Sequence, residues 1–333
     1  DLAADRAPAL ASREKLLAAA ARFLRRELPA DTRIMVISGR GEFHNKGVGL
    51  FLEALGRLNA EQGENRTILA FLFVLSGYTD LMPCLQSDAF KRDPANPPIA
   101  THRLQNEASD PILQTCERLG LKNLPQNRAQ VIFVPAYLNG HDGFLNMTYY
   151  EALAGCDLGV FPSYYEPWGY TPLESAAYAV PTVTTDQAGF GLWAQKMAGD
   201  CNGIILLKRL GQSGEVITDH LTAIFRDFLA LPEEDVQCMR TNARAAANRA
   251  NWREFFRNYE EAYALAQAAS RSRAEKRTAE DLKTELKHVF AGTASVAPHF
   301  RTFTAVANLP AKIARLRELA HNLWWTWNPR ARE

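Results

Sequence analysis

The chain has 333 residues, which at about 150 residues per domain predicts two domains and leaves ample length for a sizeable core. Its 38 Lys and Arg residues against 37 Asp and Glu residues give a net charge of +1, so a general binder of nucleic acids or of anionic membranes is not expected. With 47% hydrophobic and 23% charged residues, the composition is typical of a globular enzyme and not of a disordered chain. No apolar run approaches the roughly 20 residues that a membrane span requires.

The cysteines and histidines argue against disulfide and metal frameworks. The five cysteines are scattered, with no CxxC motif and no partner at zinc-ligand spacing, and the seven histidines are isolated. We therefore expect no metal site and no disulfide framework, and a reducing, cytoplasmic setting.

Short apolar runs alternate with helical patterns from about residue 12 to residue 270. Six continuous runs of β-branched and aromatic residues predict strands: Arg33–Ser38, Thr67–Leu75, Val131–Val134, Asp157–Pro162, Pro181–Thr184 and Gly203–Leu207. Five amphipathic segments between them predict helices: Val48–Gln62, Pro111–Leu119, Thr148–Gly155, Pro172–Ala179 and Val216–Leu229. This alternation predicts an α/β fold with one doubly wound parallel sheet.

Two helix starts show a local capping pattern. Thr148 and Glu151 fit a capping box, in which a threonine and a glutamate three residues later bond each other's backbone. Thr171 and Glu174 fit the same pattern, with Pro172 predicted at the first helical position.

Composition changes along the chain predict its domain organisation. Residues 1–270 are expected to form the sheet domain, with a polar, proline-rich insertion over residues 77–127 and long helices after residue 232. Residues 271–298 begin with a charge-rich run, which is either a solvated helix or a linker, and end in GTASVAP, which is typical of a linker. Residues 299–333 then carry a new amphipathic pattern with three tryptophans, so we expect a separate segment there.

The loop after the first predicted strand, GRGEFHNKG, offers glycines and two cations. Ligands bind at the carboxyl ends of strands in such sheets, so Gly39 would let a ligand approach while Arg40 and Lys46 neutralise its phosphates. His44 occupies the third glycine position of a GxGxxG motif, which disfavours a dinucleotide. The alternative is a plain strand-to-helix turn with two solvated cations.

The loop from Phe161 to Glu174 is rich in aromatic residues and proline. Gly169 precedes a helix whose amino terminus would suit a phosphate, and Glu166 lies among aromatic residues where it could bond substrate hydroxyls. Glu174 could instead serve only the capping box, and Trp168 could form a pocket wall or belong to the core.

A third glycine-containing loop, residues 184–191, completes the predicted crevice. With cations on one side and a carboxylate and helix end on the other, the crevice suits a phosphorylated polyhydroxyl ligand such as a nucleotide sugar. Tyr149 and Tyr150 could stack on a base, although one of them is expected in the core. A DxD pair, a GxxxxGK[ST] loop, a GxSxG elbow and an HExxH motif are all absent from the sequence.

Three segments resemble the carboxyl-terminal half of glycogen synthases of the fungal and animal type, glycosyltransferase family 3. They are ISGRGEFHNKGVGLFLEALGRLN, GVFPSYYEPWGYTPLES and VPTVTTDQAGFG, and the similarity extends over roughly residues 12–268. The resemblance implies the Rossmann-like, nucleotide-sugar-binding half of a GT-B glycosyltransferase, followed by a helical carboxyl-terminal extension.

The resemblance also implies roles for residues at matching positions. Arg40 and Lys46 would contact the donor pyrophosphate, and Glu166 would be the first glutamate of the family's Glu-x7-Glu pair, near the transferred glucose. The remaining positions expected to bind the donor are Gly39, Tyr149, Trp168, Gly169, Tyr170, Thr171 and Glu174. Tyr149 would stack on the base, Glu174 would bond the ribose, and the helix start would face the phosphates.

The implied reaction transfers glucose from UDP-glucose or ADP-glucose to the 4-hydroxyl at the non-reducing end of an α-1,4-glucan, with retention of configuration. No metal or cofactor is expected, because the cations and the helix end would stabilise the leaving diphosphate. Two departures stand out. Val134 occupies the family's usual histidine position, and PEEDVQCMRTNARAAANRANW has acids where the family's arginine-rich helix begins. We therefore predict no activation by glucose 6-phosphate.

The final segment, NLPAKIARLRELAHNLWWTWNPRARE, resembles the extreme amino terminus of bacterial α-glucan phosphorylases. A synthase-phosphorylase fusion is the expected parent, with pyridoxal phosphate bound only by the missing phosphorylase part. The alternative is an amphipathic helix pair that packs its tryptophans against the synthase half. Because the chain starts at Asp1, we expect the amino-terminal acceptor half to be missing and the isolated chain to transfer glucose poorly.

Two other functions compete with a glucosyltransferase half. A nucleotide- or glucan-binding module without turnover fits the same residues, since the acceptor half is missing. A dinucleotide oxidoreductase is disfavoured by His44 and by the lack of an acidic partner for a ribose. The sequence leaves the choice between UDP and ADP, and the oligomeric state, open.

Overall fold

A computed structural model describes residues 2–61, 66–86, 97–198 and 203–276, together with residues 281 and 284. The chain divides into two compact units, Asp1–Phe256 and Arg257–Glu333. In the second unit the description covers residues 257–276, which are helical, and residues 281 and 284. Most of the predicted linker and all of the predicted segment 299–333 therefore lie outside the described residues.

The strands form one six-stranded parallel sheet and one antiparallel pair. In chain order they are β1 Arg33–Gly39, β2 Ile68–Val74, β3 Tyr78–Leu81, β4 His102–Leu104, β5 Ala129–Phe133, β6 Leu158–Val160, β7 Thr182–Thr185 and β8 Ile204–Leu207. The large sheet has the order β5-β2-β1-β6-β7-β8, and all its pairings are parallel. The predicted doubly wound parallel sheet is thus confirmed, with all six predicted strands in it.

Helices cover both faces of this sheet. In chain order, the helices of the described residues are α1 Leu2–Leu24, α2 Val48–Ala60, α3 Pro83–Gln86, α4 Pro111–Arg118, α5 Tyr149–Ala154, α6 Tyr170–Ala177, α7 Gly189–Ala198, α8 Gly214–Ala230, α9 Glu233–Arg249 and α10 Trp252–Lys276. One core joins α2, α4 and α8 to one face of the sheet, and a second core joins α1 and α5 to the other. Alternate residues of β1, such as Met35 and Val36, enter opposite cores, which is why its sequence is apolar throughout.

The region predicted as an insertion, 77–127, contains two short strands as well as helices. β3 and β4 pair in antiparallel fashion, and a short 3-10 helix, Glu107–Ser109, precedes α4. Asp110 caps α4 by accepting hydrogen bonds from the backbone N–H groups of Ile112 and Leu113 at 2.9 and 3.1 Å. Pro111 follows at the first helical position, where its missing N–H costs nothing.

The chain order of the strands places a switch point beside β1. From β1 the chain winds outward through β2 to β5, then returns to the other side of β1 and continues through β6, β7 and β8. β1 and β6 are direct neighbours, with Met35 opposite Leu158 and Val36 opposite Gly159. Ligands of open α/β sheets bind at such a point, outside the carboxyl ends of the strands. The loops after β1 and β6 meet there.

Candidate functional site

The loops after β1 and β6 pack tightly on each other at the switch point. The backbone N–H of Tyr164 donates to the carbonyl oxygen of Asn45 at 2.7 Å. Gly47, which caps α2, has a φ of +71°, and a Cβ atom there would lie 2.2 Å from the carbonyl oxygen of Pro162. Only glycine meets both conditions, so the loop GRGEFHNKG needs its last glycine for the contact with the neighbouring loop.

Lys46 and Glu166, predicted from separate motifs, form an ion pair at the junction of these loops. The Nζ atom of Lys46 donates to Oε1 of Glu166, and the two side chains are only 12% and 16% exposed. Ser163 also donates to Glu166 Oε1, at 3.3 Å. The Lys46 stem crosses Gly39, where an added Cβ would lie 3.4 Å from its Cδ atom. A cation and a carboxylate are therefore held together where a ligand of this fold would bind.

Arg40, the other predicted cation, lies at the same edge but is far more accessible. Its side chain is 74% exposed and pairs with Glu42 at 2.9 Å. Within the described part of the chain, Glu166 has its ion pair with Lys46 and none with Arg40. An exposed pair of this kind contributes little to stability, so Arg40 is free to turn toward a ligand at small cost.

The third predicted loop joins the site through the backbone of Glu166. The N–H of Glu166 donates to Gln187 at 3.1 Å, and the N–H of Gly189 donates to the carbonyl of Glu166 at 3.2 Å. The predicted loop over residues 184–191 is shorter than expected, because α7 begins at Gly189. Glu166 is thus fixed between two loops and does not lie on a free turn.

The start of α6 differs from the predicted capping box. The helix begins at Tyr170, its N-cap is Gly169 with a φ of +100°, and no side chain caps it. The capping box predicted for Thr171 and Glu174 is wrong, because Thr171 lies inside the first turn and Glu174 accepts a hydrogen bond from the Tyr150 hydroxyl at 2.9 Å. The first N–H groups of a helix lack intrahelical partners, so this uncapped end retains donors for a ligand. Gly169, Tyr170 and Thr171 all lie at this end.

Glu174 is held by an aromatic pair. Tyr150, which donates to it, stacks on Tyr178 with the ring centroids 5.0 Å apart and the planes at 7°. Burial raises the pKa of Glu174, and the bond from Tyr150 opposes that rise by stabilising the carboxylate. The same bond raises the pKa of Tyr150. The capping box predicted at Thr148 and Glu151 is confirmed, and it sets the start of the helix that carries Tyr150.

The two neighbouring tyrosines of α5 have different surroundings. Tyr149 is half-buried, packs on the core beside α1, and shares a hydrogen bond of 2.8 Å with Ser38 near the end of β1. Burial raises the pKa of the Tyr149 hydroxyl well above its usual range. Tyr150 is 42% exposed. Of the pair, Tyr149 has the core contacts, and stacking of Tyr149 on a base stays a prediction.

Trp168 packs among aromatic rings. Its ring centroid lies 5.9 Å from Phe190, 6.0 Å from Trp193 and 5.1 Å from Phe255, with edge-to-face or tilted geometry. These contacts join the loop after β6 to α7 and the first turn of α10. Of the two roles left open for Trp168, the structure supports packing in the core, and a contact with a donor stays a prediction.

Arg209, just beyond β8, is a residue at this edge that sequence reasoning missed. Its guanidinium donates to the carbonyl of Pro162 and lies 4.9 Å over the ring of Tyr164. Asp186 accepts the backbone N–H of Arg209 at 2.9 Å, and burial lowers the pKa of Arg209. A Lys-Arg pair following a strand was the only signal in the sequence, and such pairs are common on surfaces.

Among the described residues, no three His, Cys, Asp or Glu side chains are grouped so that they could hold a metal ion. In the same residues, none of the helices is both long and apolar enough to cross a membrane. The site is therefore defined by one buried cation-carboxylate pair, an exposed arginine, an uncapped helix start and half-buried tyrosine and glutamate side chains.

These features define a doubly wound α/β domain whose switch point offers cations and an uncapped helix end beside carboxylates. The sequence model of the glycogen synthase family matches residues 85–317. The chain is 31% identical over 287 residues to the liver glycogen [starch] synthase of Mus musculus, covering 69% of this chain and 41% of that protein. It is 29% identical over 304 residues to glycogen [starch] synthase isoform 2 of Saccharomyces cerevisiae, covering 71% and 43%. The chain belongs to the glycogen synthase family.

The match has limits that bear on function. The chain spans about 41% of the length of the mouse relative. Matched residues continue through the predicted linker to residue 317, and the phosphorylase-like segment 299–333 stays a prediction. Among solved structures, sucrose-phosphate synthase from Thermosynechococcus elongatus is 19% identical, with a TM-score of 0.40 over 76% of this chain and 49% of that chain.

Proposed function

We propose that this chain is the nucleotide-sugar-binding half of a glycogen (starch) synthase. In the proposed reaction, the bond between C1 of glucose and the diphosphate of UDP- or ADP-glucose breaks, and C1 bonds to the 4-hydroxyl oxygen at the non-reducing end of an α-1,4-glucan. The proton of that hydroxyl passes to the leaving diphosphate. The configuration at C1 is retained. The observation that supports this most is the Lys46–Glu166 pair at the switch point, which supplies a cation for phosphate and a carboxylate for sugar hydroxyls.

Several of the predicted residues have a task in this proposal. Negative charge develops on the diphosphate as it leaves, and Lys46, Arg40 and the uncapped start of α6 would stabilise it. Glu174, presented by Tyr150, would accept a hydrogen bond from the ribose. No metal is needed in this scheme, because cationic side chains and helix N–H groups supply the positive charge.

Donor binding requires an exchange at the ion pair. Lys46 and Glu166 neutralise each other in the structure, and both are mostly buried. When a diphosphate binds, the ammonium group would turn to the phosphate oxygens, and the carboxylate would be released to the glucose hydroxyls. Breaking the Lys46–Glu166 ion pair costs free energy, and donor binding is weaker by that amount. Glu166 thus weakens nucleotide binding while it serves sugar binding.

A second function follows from the length of the chain. It spans about 41% of the mouse relative, so the isolated chain would bind nucleotide but transfer glucose poorly. In this alternative the chain acts as a nucleotide- or glucan-binding module without turnover. A synthase-phosphorylase fusion, with pyridoxal phosphate confined to a phosphorylase part, remains our proposal for the parent protein.

Calorimetric titration of the purified chain with UDP, ADP and NAD tests the proposed ligand class. We expect binding of UDP or ADP, and no binding of NAD at the same concentrations. Binding of NAD alone would contradict the proposal. Robust glucan synthesis from UDP- or ADP-glucose by the isolated chain would show that turnover does not need the rest of a synthase.

A further inference from the structure

A groove of about 630 Å³ lies beside the ion pair, between the loop after β1, helices α2 and α4, and the residues Tyr164 and Arg209. It is lined by His44 and Asn45, which precede Lys46, while neither Lys46 nor Glu166 lines it. Its volume falls within the roughly 300–1,000 Å³ of small-ligand sites. Seven of its eleven lining residues carry a polar side-chain group.

One wall of the groove is a fixed aromatic ring. Tyr164 is 59% exposed, yet its backbone N–H is bonded to Asn45 at 2.7 Å and the Arg209 guanidinium lies 4.9 Å from its ring centroid. Arg209 is in turn anchored on the carbonyl of Pro162. The Arg209 guanidinium therefore supports the Tyr164 ring. The ring stays largely accessible and is held in place. Such a ring binds the apolar C–H face of a pyranose at a small entropic cost.

One ion pair and one arginine held by neutral groups border the groove. Arg118 pairs with Glu53 across α2 and α4, and Arg209 donates to Pro162 and covers Tyr164. These groups, with His44 and Asn45, present directed donors and acceptors. An aromatic face bordered by planar polar side chains suits a polyhydroxyl ligand.

We propose that this groove is a subsite for the α-glucan, with Tyr164 as its stacking platform. This inference rests on the proposed function, which supplies the α-1,4-glucan as the ligand. Tyr164 lies two residues before Glu166, and Asn45 directly precedes Lys46, so the bound glucan flanks the donor site on the same two loops. The subsite retains the polymer next to the donor between transfer events and takes no part in the bond changes.

Calorimetric titration of the purified chain with maltoheptaose tests the subsite. Tyr164→Ala should lose about ten-fold or more in maltoheptaose affinity, whereas Tyr164→Phe should keep most of it because the ring remains. Tyr137→Ala is the matched control, since Tyr137 is also exposed and does not line the groove. Thermal unfolding of each variant verifies that it is folded. Should Tyr164→Ala fail to fold, Arg118→Ala replaces it, and equal maltoheptaose affinity in Arg118→Ala and the parent chain would overturn the subsite.

UDP titrations on the same samples separate the subsite from the proposed function. UDP affinity should be the same in the parent chain and in Tyr164→Phe, whatever happens to maltoheptaose. If UDP binds but maltoheptaose does not, or if Tyr164→Ala binds maltoheptaose as the parent does, the subsite is refuted and the donor site stands. If maltoheptaose binding depends on Tyr164 while UDP and ADP fail to bind, the proposed donor function is refuted and the groove remains a glucan site.

Discussion

The two ends of the parallel sheet carry buried ion pairs that differ in how completely they are satisfied. At the amino end, Asp157 accepts from Arg13 at 2.5 Å, from Arg240 at 2.9 Å and from the N–H of Ile34 at 2.8 Å. Both arginines also donate to backbone carbonyl groups, including those of Thr32 and Cys156. At the carboxyl end, Lys46 and Glu166 have each other and, from Ser163, one long hydrogen bond to Glu166.

This difference distinguishes a structural network from a site that is open to a ligand. A buried carboxylate with several short bonds and two cations resists any exchange of partners, because each lost bond would leave a buried charge unpaired. A single pair at the switch point can exchange its partner for a phosphate. The amino end has two cations and several hydrogen bonds on one carboxylate, whereas the carboxyl end has one cation and one long bond, so the number of partners separates the two ends.

The largest effect is expected at the amino end. Asp157→Ala should lower the free energy of unfolding by about 3–5 kcal/mol, because it leaves Arg13 and Arg240 without their carboxylate. Urea denaturation measures this change. Asp219→Ala is the control, since its pair with Arg57 is exposed and should cost less than about 1 kcal/mol. Equal losses of unfolding free energy in Asp157→Ala and Asp219→Ala would contradict the proposed structural role of the network at the amino end.

Gly47→Ala tests the contact between the two loops of the carboxyl end. The residue needs a positive φ, and its Cβ would meet the carbonyl of Pro162 at 2.2 Å, so the loops must separate. We expect a loss of stability of at least about 1–2 kcal/mol and weaker UDP binding. Gly140→Ala has a positive φ but open space around the Cβ, so it controls for backbone strain alone. If UDP affinity is unchanged in Gly47→Ala, the packing of the two loops does not determine the geometry of the proposed UDP site.

Glu166→Gln should increase UDP affinity by roughly three- to ten-fold, because Lys46 no longer has to leave a carboxylate. Titration of the isolated chain with UDP measures this directly and requires no turnover. Glu42→Gln is the control, since Glu42 pairs with the exposed Arg40 and its removal should change UDP affinity less. A lower UDP affinity in Glu166→Gln would contradict the exchange.

The smallest effect concerns the pKa of Glu174. The bond from Tyr150 lowers that pKa against the rise caused by burial, so Tyr150→Phe should raise the pKa further. Because the ribose would bond the carboxylate, the loss of UDP affinity on acidification should move to higher pH in this variant. UDP titrations over a series of pH values measure the shift. An unchanged pH dependence of UDP affinity in Tyr150→Phe would contradict the proposed bond between Glu174 and the ribose.

Local rules predicted the sheet well and the side-chain partners poorly. All six strands of the sheet were predicted, because buried parallel strands are continuous apolar runs. The capping box at Thr148 was predicted because both its partners lie within one turn. The one at Thr171 failed because Glu174 bonds Tyr150, 24 residues away, and because the helix begins at Tyr170 with Gly169 as its N-cap. Rules based on local sequence do not account for hydrogen bonds between residues that are far apart in the chain.

The candidate site shows the same division. Lys46 and Glu166 were predicted from separate loops, but their direct pairing, across 120 residues, depends on the strand order that makes β1 and β6 neighbours. Arg209 was missed because its importance comes from the groove wall that it builds with Tyr164. The core packing of Trp168 likewise depends on Phe255, far away in the sequence.

The central claim is that Lys46 is the cation that receives the donor diphosphate at the carboxyl end of the sheet. Calorimetric titration of UDP into Lys46→Ala measures it most directly, with Arg57→Ala as a control that also loses a paired cation but on another surface. The account predicts that UDP affinity falls by about ten- to a hundred-fold in Lys46→Ala, as expected for a lost charge-assisted hydrogen bond, and is unchanged in Arg57→Ala. Equal UDP affinity in Lys46→Ala and the parent chain would contradict it.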